Sequence, residues 1–304
     1  MRALAGAMEG GTPSLQKTAP GPVQVNMRHV PVFATRKPRE ANASVRLFSG
    51  GSLRRGLLVL ALLGGTALCA GATEEHEAMA ARIEAQMQAP DRHRFDAARD
   101  DARKPALTFR FLGLREGMTA LDVGAYAGYT TEMLAAAVGP TGKVYSHNRE
   151  RVLTHFADGY YQRTMDERLA NGRLPNVVLH LREYDAMGLE GTVDLAFLGN
   201  LLHDFYHRDG RELALAFLRS IHAALKPGGV LGVADHVGVP GANNKRLHRL
   251  DPRIARALIE EAGFVIEAES DLYANPEDDH SLLVYNDAIY LRTDRFLLRA
   301  RKPF

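Results

Sequence analysis

The chain reads as an α/β protein with a largely parallel sheet covered by helices on both faces. Three observations predict this. Short strand candidates alternate with helical stretches from Thr119 onward, the pattern of strand–helix–strand units. The strand candidates are nearly all apolar rather than alternating, as expected when both faces of a sheet are covered. Gly124 and Gly128 follow the first of these strands and open a helix, where such sheets receive ligands beyond the carboxyl ends of their strands.

Residues 1–50 mix Gly, Pro, Ser, Asn and scattered Arg without period and read as a disordered basic tail. Nine of the 38 Lys and Arg residues, but two of the 36 acids, fall in 1–56, which leaves 29 bases against 34 acids in 73–304. The body therefore has no excess positive charge to attract a phosphate backbone, and no nucleic-acid partner is expected. Residues 57–72 carry no charge, follow Arg54-Arg55 and end in Ala70-Gly71-Ala72. A positive start, a short apolar run and small residues at its end make 51–72 a signal peptide or membrane anchor. The 16 uncharged residues are short against the ~20 needed to span a bilayer. The expected location is the periplasm or another exported site, with membrane proximity if the segment is retained; a permanently anchored or a cytoplasmic body ranks lower. Cys69, the single cysteine, lies inside this segment, so the body from Thr73 has no disulfide, thiol nucleophile or thiolate metal site.

Residues 73–104 form a helical extension ahead of the domain at 105–304. Met79, Ile83 and Met87 fall four apart in an amphipathic helix over Thr73–Gln88 that Pro90 ends. Asp91–Lys104 is densely charged and reads as a solvated connection, and Pro105–Leu112 as a second helix. Strands are expected at Thr119–Val123, Lys143–Ser146, Asn176–Leu181, Val193–Leu198, Val230–Ala234, Phe264–Glu267, Leu283–Tyr290 and Phe296–Ala300. Helices are expected at Tyr129–Val138, over most of Arg151–Leu169, at Arg211–Leu225 and at Pro252–Ala262. Gly139-Pro140, Lys226-Pro-Gly-Gly229 and Gly263 supply the breaks.

Chemistry concentrates where strands hand over to loops. In Leu121-Asp-Val-Gly-Ala-Tyr-Ala-Gly-Tyr-Thr-Thr-Glu132, Gly124 and Gly128 permit tight turns and close approach of a ligand. The helix that follows presents free N–H groups to a polar atom. His203 and Asp204 lie on the loop after Val193–Leu198, and His236 just past Val230–Ala234. An imidazole there suits proton removal near neutral pH. His248 and Arg249 are further pocket candidates, while Asp294 and Arg295 read as ties between the last strands. His207 follows His203 by four, and with Asp204 they suggest a metal site, yet no third ligand has compelling spacing, so no metal is expected.

These blocks resemble the class I S-adenosylmethionine-dependent methyltransferases. Leu121–Glu132 is similar to that family's glycine-rich first motif. Asp194-Leu-Ala-Phe-Leu-Gly-Asn-Leu-Leu-His-Asp204 is similar to its fourth strand and loop, and Ala224-Leu-Lys-Pro-Gly-Gly-Val-Leu-Gly-Val-Ala234 to its fifth strand with the lead-in turn. His248-Arg-Leu-Asp251, Ala262-Gly-Phe264 and Thr293-Asp-Arg-Phe296 resemble phrases of a bacterial subgroup of predicted methyltransferases with exported N-termini. The resemblance implies a Rossmann-like, largely parallel seven-stranded sheet and S-adenosyl-L-methionine as cofactor. It implies cofactor contacts at Asp122, Gly124, Tyr126, Gly128, Asn148, Asp185 and Asn200, with His203, Asp204 and His236 catalytic. Tyr126 stands where the family has a middle glycine, and Asn148 where it has an acid for the ribose hydroxyls. The expected function is methyl transfer to a small or amphipathic acceptor. The alternative is an exported, non-catalytic binding or regulatory protein on the same fold. A nicotinamide-dependent oxidoreductase is disfavoured, because its glycine fingerprint is absent.

Overall fold

The computed structural model describes the backbone from Leu60 and the side chains from Glu74 to Phe304. The expected tail at 1–50 and the start of the apolar segment lie outside the described residues. A long helix α1 (Leu60–Met87) leads into α2 (Ala97–Arg103) and α3 (Pro105–Leu112). Seven strands follow: β1 (Thr119–Val123), β2 (Lys143–Asn148), β3 (Val177–Leu181), β4 (Val193–Gly199), β5 (Leu225–His236), β6 (Val265–Ser270) and β7 (Arg295–Arg301). They lie in the order β3-β2-β1-β4-β5-β7-β6. All neighbours are parallel as far as β5, and β7 inserts antiparallel between β5 and β6. The α/β architecture with a mostly parallel seven-stranded sheet is the one expected.

Helices cover both faces because the central strands β1 and β4 and the Val230–Ala234 stretch of β5 are largely apolar and buried on each side. One core packs α8 (Arg211–Ala224) and α10 (Pro252–Glu261) on the sheet through Leu215, Leu218, Ile221, Leu258 and Ile259. The other packs α3 and α4 (Tyr129–Val138) through Phe109, Leu112, Met133 and Leu134, and it includes Met79 and Ile83 of α1. Burying each such side chain stabilises the fold by about 1.5–3 kcal/mol, which fixes α1 to the domain.

The segment Asp91–Lys104 differs from the expected solvated connection. Asp96 is fully buried, and its carboxylate meets Arg168 at 2.6 Å; the same guanidinium also grips buried Glu132. Arg92 is paired with Asp100. Charge density alone did not reveal that Asp96 is buried, because its partner Arg168 comes from a helix 72 residues away. Arg151–Leu169 is not one helix: α5 (Glu150–His155) and α6 (Tyr160–Leu169) are separated by a turn with Ala157, Asp158 and Gly159 at positive φ. Leu283–Tyr290 is a chain of turns rather than a strand. Asn286 donates its N–H to Leu283 and accepts one from Ala288, and such local bonds compete with sheet pairing. Lys226-Pro-Gly-Gly229 falls within β5, which pairs with β4 on either side of an irregularity. Short helices α7 (Leu202–Asp204) and α9 (Asn244–Leu247), with a π-helical turn at Phe205–Asp209, complete the set.

Candidate active site

The carboxyl ends of β1, β2, β4 and β5 meet at one edge of the sheet. Asp122 on β1 is almost completely buried, and Thr131 at the start of α4 donates its hydroxyl to it at 2.6 Å. Burial pushes the Asp122 carboxyl up to about 6, against the opposing hydrogen bond from Thr131 and the charge of Arg103. The chain then turns at Gly124, Tyr126 and Gly128, all at positive φ. Glycine adopts this conformation freely, whereas Tyr126 pays a backbone cost of about 1–2 kcal/mol. The turn is pinned from β2: Ala125 donates its N–H to the His147 carbonyl, and Tyr126 donates its own to Asn148 Oδ1 at 2.8 Å.

Asn148 is fully buried, and its Nδ2 has no hydrogen-bond partner among the described residues. Asn200, in the loop after β4, has a buried Oδ1 in the same condition. An orphaned donor and an orphaned acceptor thus stand at the ends of β2 and β4. Native proteins leave few such groups unmatched, and these suit the hydroxyl and polar edges of a nucleoside. Beside Asn200 lies a small cavity of about 20 Å³ whose lining includes Arg103, Tyr129, Thr130, Tyr273 and Arg295. Arg103 and Arg295 are drawn below their usual pKa by burial, and neither pairs with a carboxylate among the described residues. That pairing of cations suits a ligand carboxylate.

Tyr126 packs its ring on the aromatic cluster beside the turn. Its ring lies 5.1 Å from that of Tyr161, and burial among Tyr184, Asp204 and Tyr161 holds its hydroxyl well above the usual range. The side chain reaches from the glycine turn across to the loop after β4. A Cβ on Gly124 would strike Leu201 from that same loop. The polar groups fit a nucleoside cofactor. Asp185 is exposed in the loop after β3, at the rim. Gly128 serves packing: a Cβ there would meet Met165 at 2.8 Å and Arg168 at 3.0 Å.

The histidines gather at the next strand ends. β4 and β5 are in parallel register, with Gly199 opposite Ala234, and Asn200 donates its N–H to the Ala234 carbonyl at 2.7 Å. This brings α7 over the end of β5. His203, 2 % exposed, pairs its Nδ1 with Asp235 Oδ1 at 2.7 Å, and its backbone N–H reaches Asp235 Oδ2 at 2.8 Å. Donation from Nδ1 to the carboxylate leaves the lone pair of the neutral ring on Nε2. Burial alone would lower the pKa of His203, but the charge and hydrogen bond of Asp235, with Asp204, leave it raised. Burial would likewise raise Asp235, and the His203 pair leaves it lowered instead.

His203 Nε2 lies 3.4 Å from Asp204 Oδ1, and His248 Nδ1 lies 3.3 Å from the same oxygen. Neither nitrogen makes a hydrogen bond among the described residues. His248 ends α9 in a left-handed conformation that swings its ring over His203, centroid to centroid 5.5 Å. His207, the expected companion of His203, is elsewhere: its Nε2 is 2.9 Å from the Arg249 carbonyl. The π-helical turn breaks the four-residue spacing that would have placed both rings on one face. His236 has its Nδ1 on Thr293 at 2.8 Å, and burial pulls its pKa down to about 3, so it stays neutral. Arg249 is locked on Asp278 by two bonds of 2.9 Å. Asp294 accepts from Asn275 and His280, and Arg295 donates to Ala102.

Asp235 was absent from the sequence reading, although it directly precedes His236. His248 was read only as a pocket residue. Both become recognisable once β4 and β5 are known to be neighbours.

Among protein families, that described as protein-L-isoaspartate(D-aspartate) O-methyltransferase matches residues 76–180. No curated protein matches the chain. Of solved structures, the [4+2]-cyclase SpnF shares 19 % identity over 66 % of this chain and 80 % of its own, with a TM-score of 0.50. A SAM-dependent methyltransferase from Aquifex aeolicus shares 23 % identity over 67 % of this chain and 92 % of its own, with a TM-score of 0.48. The 1,6-didemethyltoxoflavin-N1-methyltransferase of Burkholderia thailandensis shares 15 % identity over 83 % of this chain and 94 % of its own, with a TM-score of 0.47. The chain has the fold of class I S-adenosylmethionine-dependent methyltransferases.

Proposed function

We propose that the chain is an S-adenosylmethionine-dependent methyltransferase acting on a small or amphipathic acceptor with an ionisable group. The observation that carries this is the convergence, at one sheet edge, of the glycine turn after β1, the orphaned amides of Asn148 and Asn200, and the Asp235–His203 pair. Bound S-adenosylmethionine supplies a methyl group on a positively charged sulfur.

The chain's own residues divide the work. Asn148 Nδ2 and Asn200 Oδ1 hold polar edges of the nucleoside, with Asp185 at the rim. Arg103 and Arg295 would hold the carboxylate at the methionine end, and ionised Asp122 would supply the negative charge for its ammonium group. Asp235 fixes the His203 ring so that Nε2 faces the acceptor side, where it can take up the acceptor proton. Asp204 sits beside that nitrogen and orients the acceptor. Holding both partners in line at this edge converts a bimolecular encounter into a positioned one.

Calorimetric titration with S-adenosylmethionine and its demethylated product tests the reading. Micromolar binding that is lost in Asp122→Ala and weakened in Asn148→Ala is expected. The absence of heat and of thermal protection at millimolar ligand would overturn it, in favour of a non-catalytic role for which the bulky Tyr126 at positive φ in the glycine turn is the specific observation.

The export reading is part of the same proposal. Arg54-Arg55, the uncharged run at 57–72 and Ala70-Gly71-Ala72 support a signal processed after Ala72, with a periplasmic body related to methyltransferases with exported N-termini. No described helix is long and apolar enough to cross a membrane. External protease should digest the body in spheroplasts; complete protection until lysis would refute export.

A further inference from the structure

We propose that His203, Asp204 and His248 bind one divalent transition-metal ion, zinc in type, at the acceptor side of the site. The inference rests on the reading above for its place in the reaction, and on geometry for its existence. One atom from each residue, His203 Nε2, Asp204 Oδ1 and His248 Nδ1, falls within 4.8 Å of the other two. The two distances to the carboxylate oxygen are 3.4 and 3.3 Å. Metal bonds of about 2.05 Å at a tetrahedral angle place donor atoms about 3.3 Å apart.

The second observation is the state of the histidines. The His203 side chain is 3 % exposed, yet its Nε2 has no hydrogen-bond partner among the described residues, and neither has His248 Nδ1. Both nitrogens face the Asp204 oxygen at distances but not angles of a well-formed hydrogen bond, and, against the effect of burial, His248 with His203 holds that carboxyl below its usual pKa. A buried acceptor left unmatched costs about 1–3 kcal/mol, which a cation would recover. Behind His203, Asp235 holds Nδ1 at 2.7 Å. A carboxylate behind a liganding imidazole fixes the tautomer and raises ligand basicity. Arg208, whose charge also reaches Asp204, is forked onto Asp209 at 2.9 and 2.7 Å.

Two imidazoles and one carboxylate suit zinc and its neighbours rather than magnesium or calcium, which prefer all-oxygen sets. Three protein ligands leave a position open, so the site would receive an acceptor through oxygen or nitrogen. The lone pair of His203 Nε2 would then serve the metal instead of a proton.

The test uses the full chain, stripped by chelator and titrated with cobalt(II), followed by visible absorption and calorimetry. One equivalent should bind with the d–d band of a low-symmetry four- or five-coordinate ion, and zinc should displace it. His248→Ala and Asp204→Asn should each weaken binding at least tenfold. His207→Ala should leave it unchanged, because that ring is committed to the Arg249 carbonyl. His248 is partly exposed, so its truncation spares the core, and far-UV circular dichroism checks that each variant is folded. No band and no heat, or equal affinity in His248→Ala and Asp204→Asn, or an equal loss in His207→Ala, would overturn the site. A parallel titration with S-adenosylmethionine separates the two readings. Cofactor binding without metal binding overturns the metal site alone, and the absence of cofactor binding overturns the proposed function.

Discussion

Replacing Asp122 by Asn should change the pH dependence of stability in a way no surface carboxylate can reproduce. Asp122 is 3 % exposed, and burial pushes its pKa from the ordinary 3.8 to about 6. A folded pKa above the unfolded one means that its contribution to stability is full below the unfolded value. That contribution is lost as pH rises through the folded value. Each unit is about 1.36 kcal/mol, so the ionised carboxylate costs the fold up to about 3 kcal/mol above pH 7. Integrated between pH 5 and pH 8, the loss is about 1.4 kcal/mol. The Asn side chain does not titrate. It carries a fixed cost of about 1–3 kcal/mol if its amide donors stay unmatched. That cost is the same at both pH values and cancels in the comparison, as do the other titrating groups. Urea unfolding of the free protein, followed by circular dichroism, should therefore show the variant gaining about 1.4 kcal/mol on the wild type between pH 5 and pH 8. A difference that does not move with pH would refute the buried, ionisable role assigned to Asp122. The same carboxylate ties stability to ligand binding. A cationic ligand beside it favours the ionised form, so S-adenosylmethionine binding near pH 6 should release protons. Titration in buffers of different ionisation enthalpy measures that release.

Three further predictions follow from single contacts. Tyr126→Gly removes the ring on the glycine turn and the left-handed backbone cost of about 1–2 kcal/mol, so it should tighten S-adenosylmethionine binding in calorimetry; weaker binding would mean that the ring stacks on the ligand. Arg168→Met leaves the fully buried carboxylates of Asp96 and Glu132 without their shared partner, which should cost about 3–5 kcal/mol in urea unfolding. A loss below about 1 kcal/mol would show that the network does not hold the N-terminal extension to the domain. Arg103→Met should weaken S-adenosylmethionine severalfold while leaving 5′-methylthioadenosine, which has no carboxylate, unchanged in competition binding; equal losses would remove Arg103 from the carboxylate site.

Much of the scaffold was legible because strand and helix signals are local. Thr119–Val123, Tyr129–Val138 and Pro105–Leu112 fall where apolar patterning and glycine or proline punctuation put them. The glycine turn was legible for the same reason, since Gly124 and Gly128 answer a local demand for positive φ. Reading failed where a segment's partners were remote. Asp91–Lys104 looked solvated because Arg168, which pairs with buried Asp96, lies far along the chain. Leu283–Tyr290 looked like a strand by composition, but Asn286 organises local turns through its backbone and side chain.

The amino-acid sequence by itself determined the strand–helix alternation, the acidic body behind a basic tail, and the loops on which candidate groups sit, because each depends on neighbours in the chain. Only the tertiary structure decided that His203 meets Asp235 and His248 rather than His207. Those outcomes depend on the parallel register of β4 against β5 and on one π-helical turn. The directions of side chains from separate elements are set by packing, which no spacing along a single segment encodes.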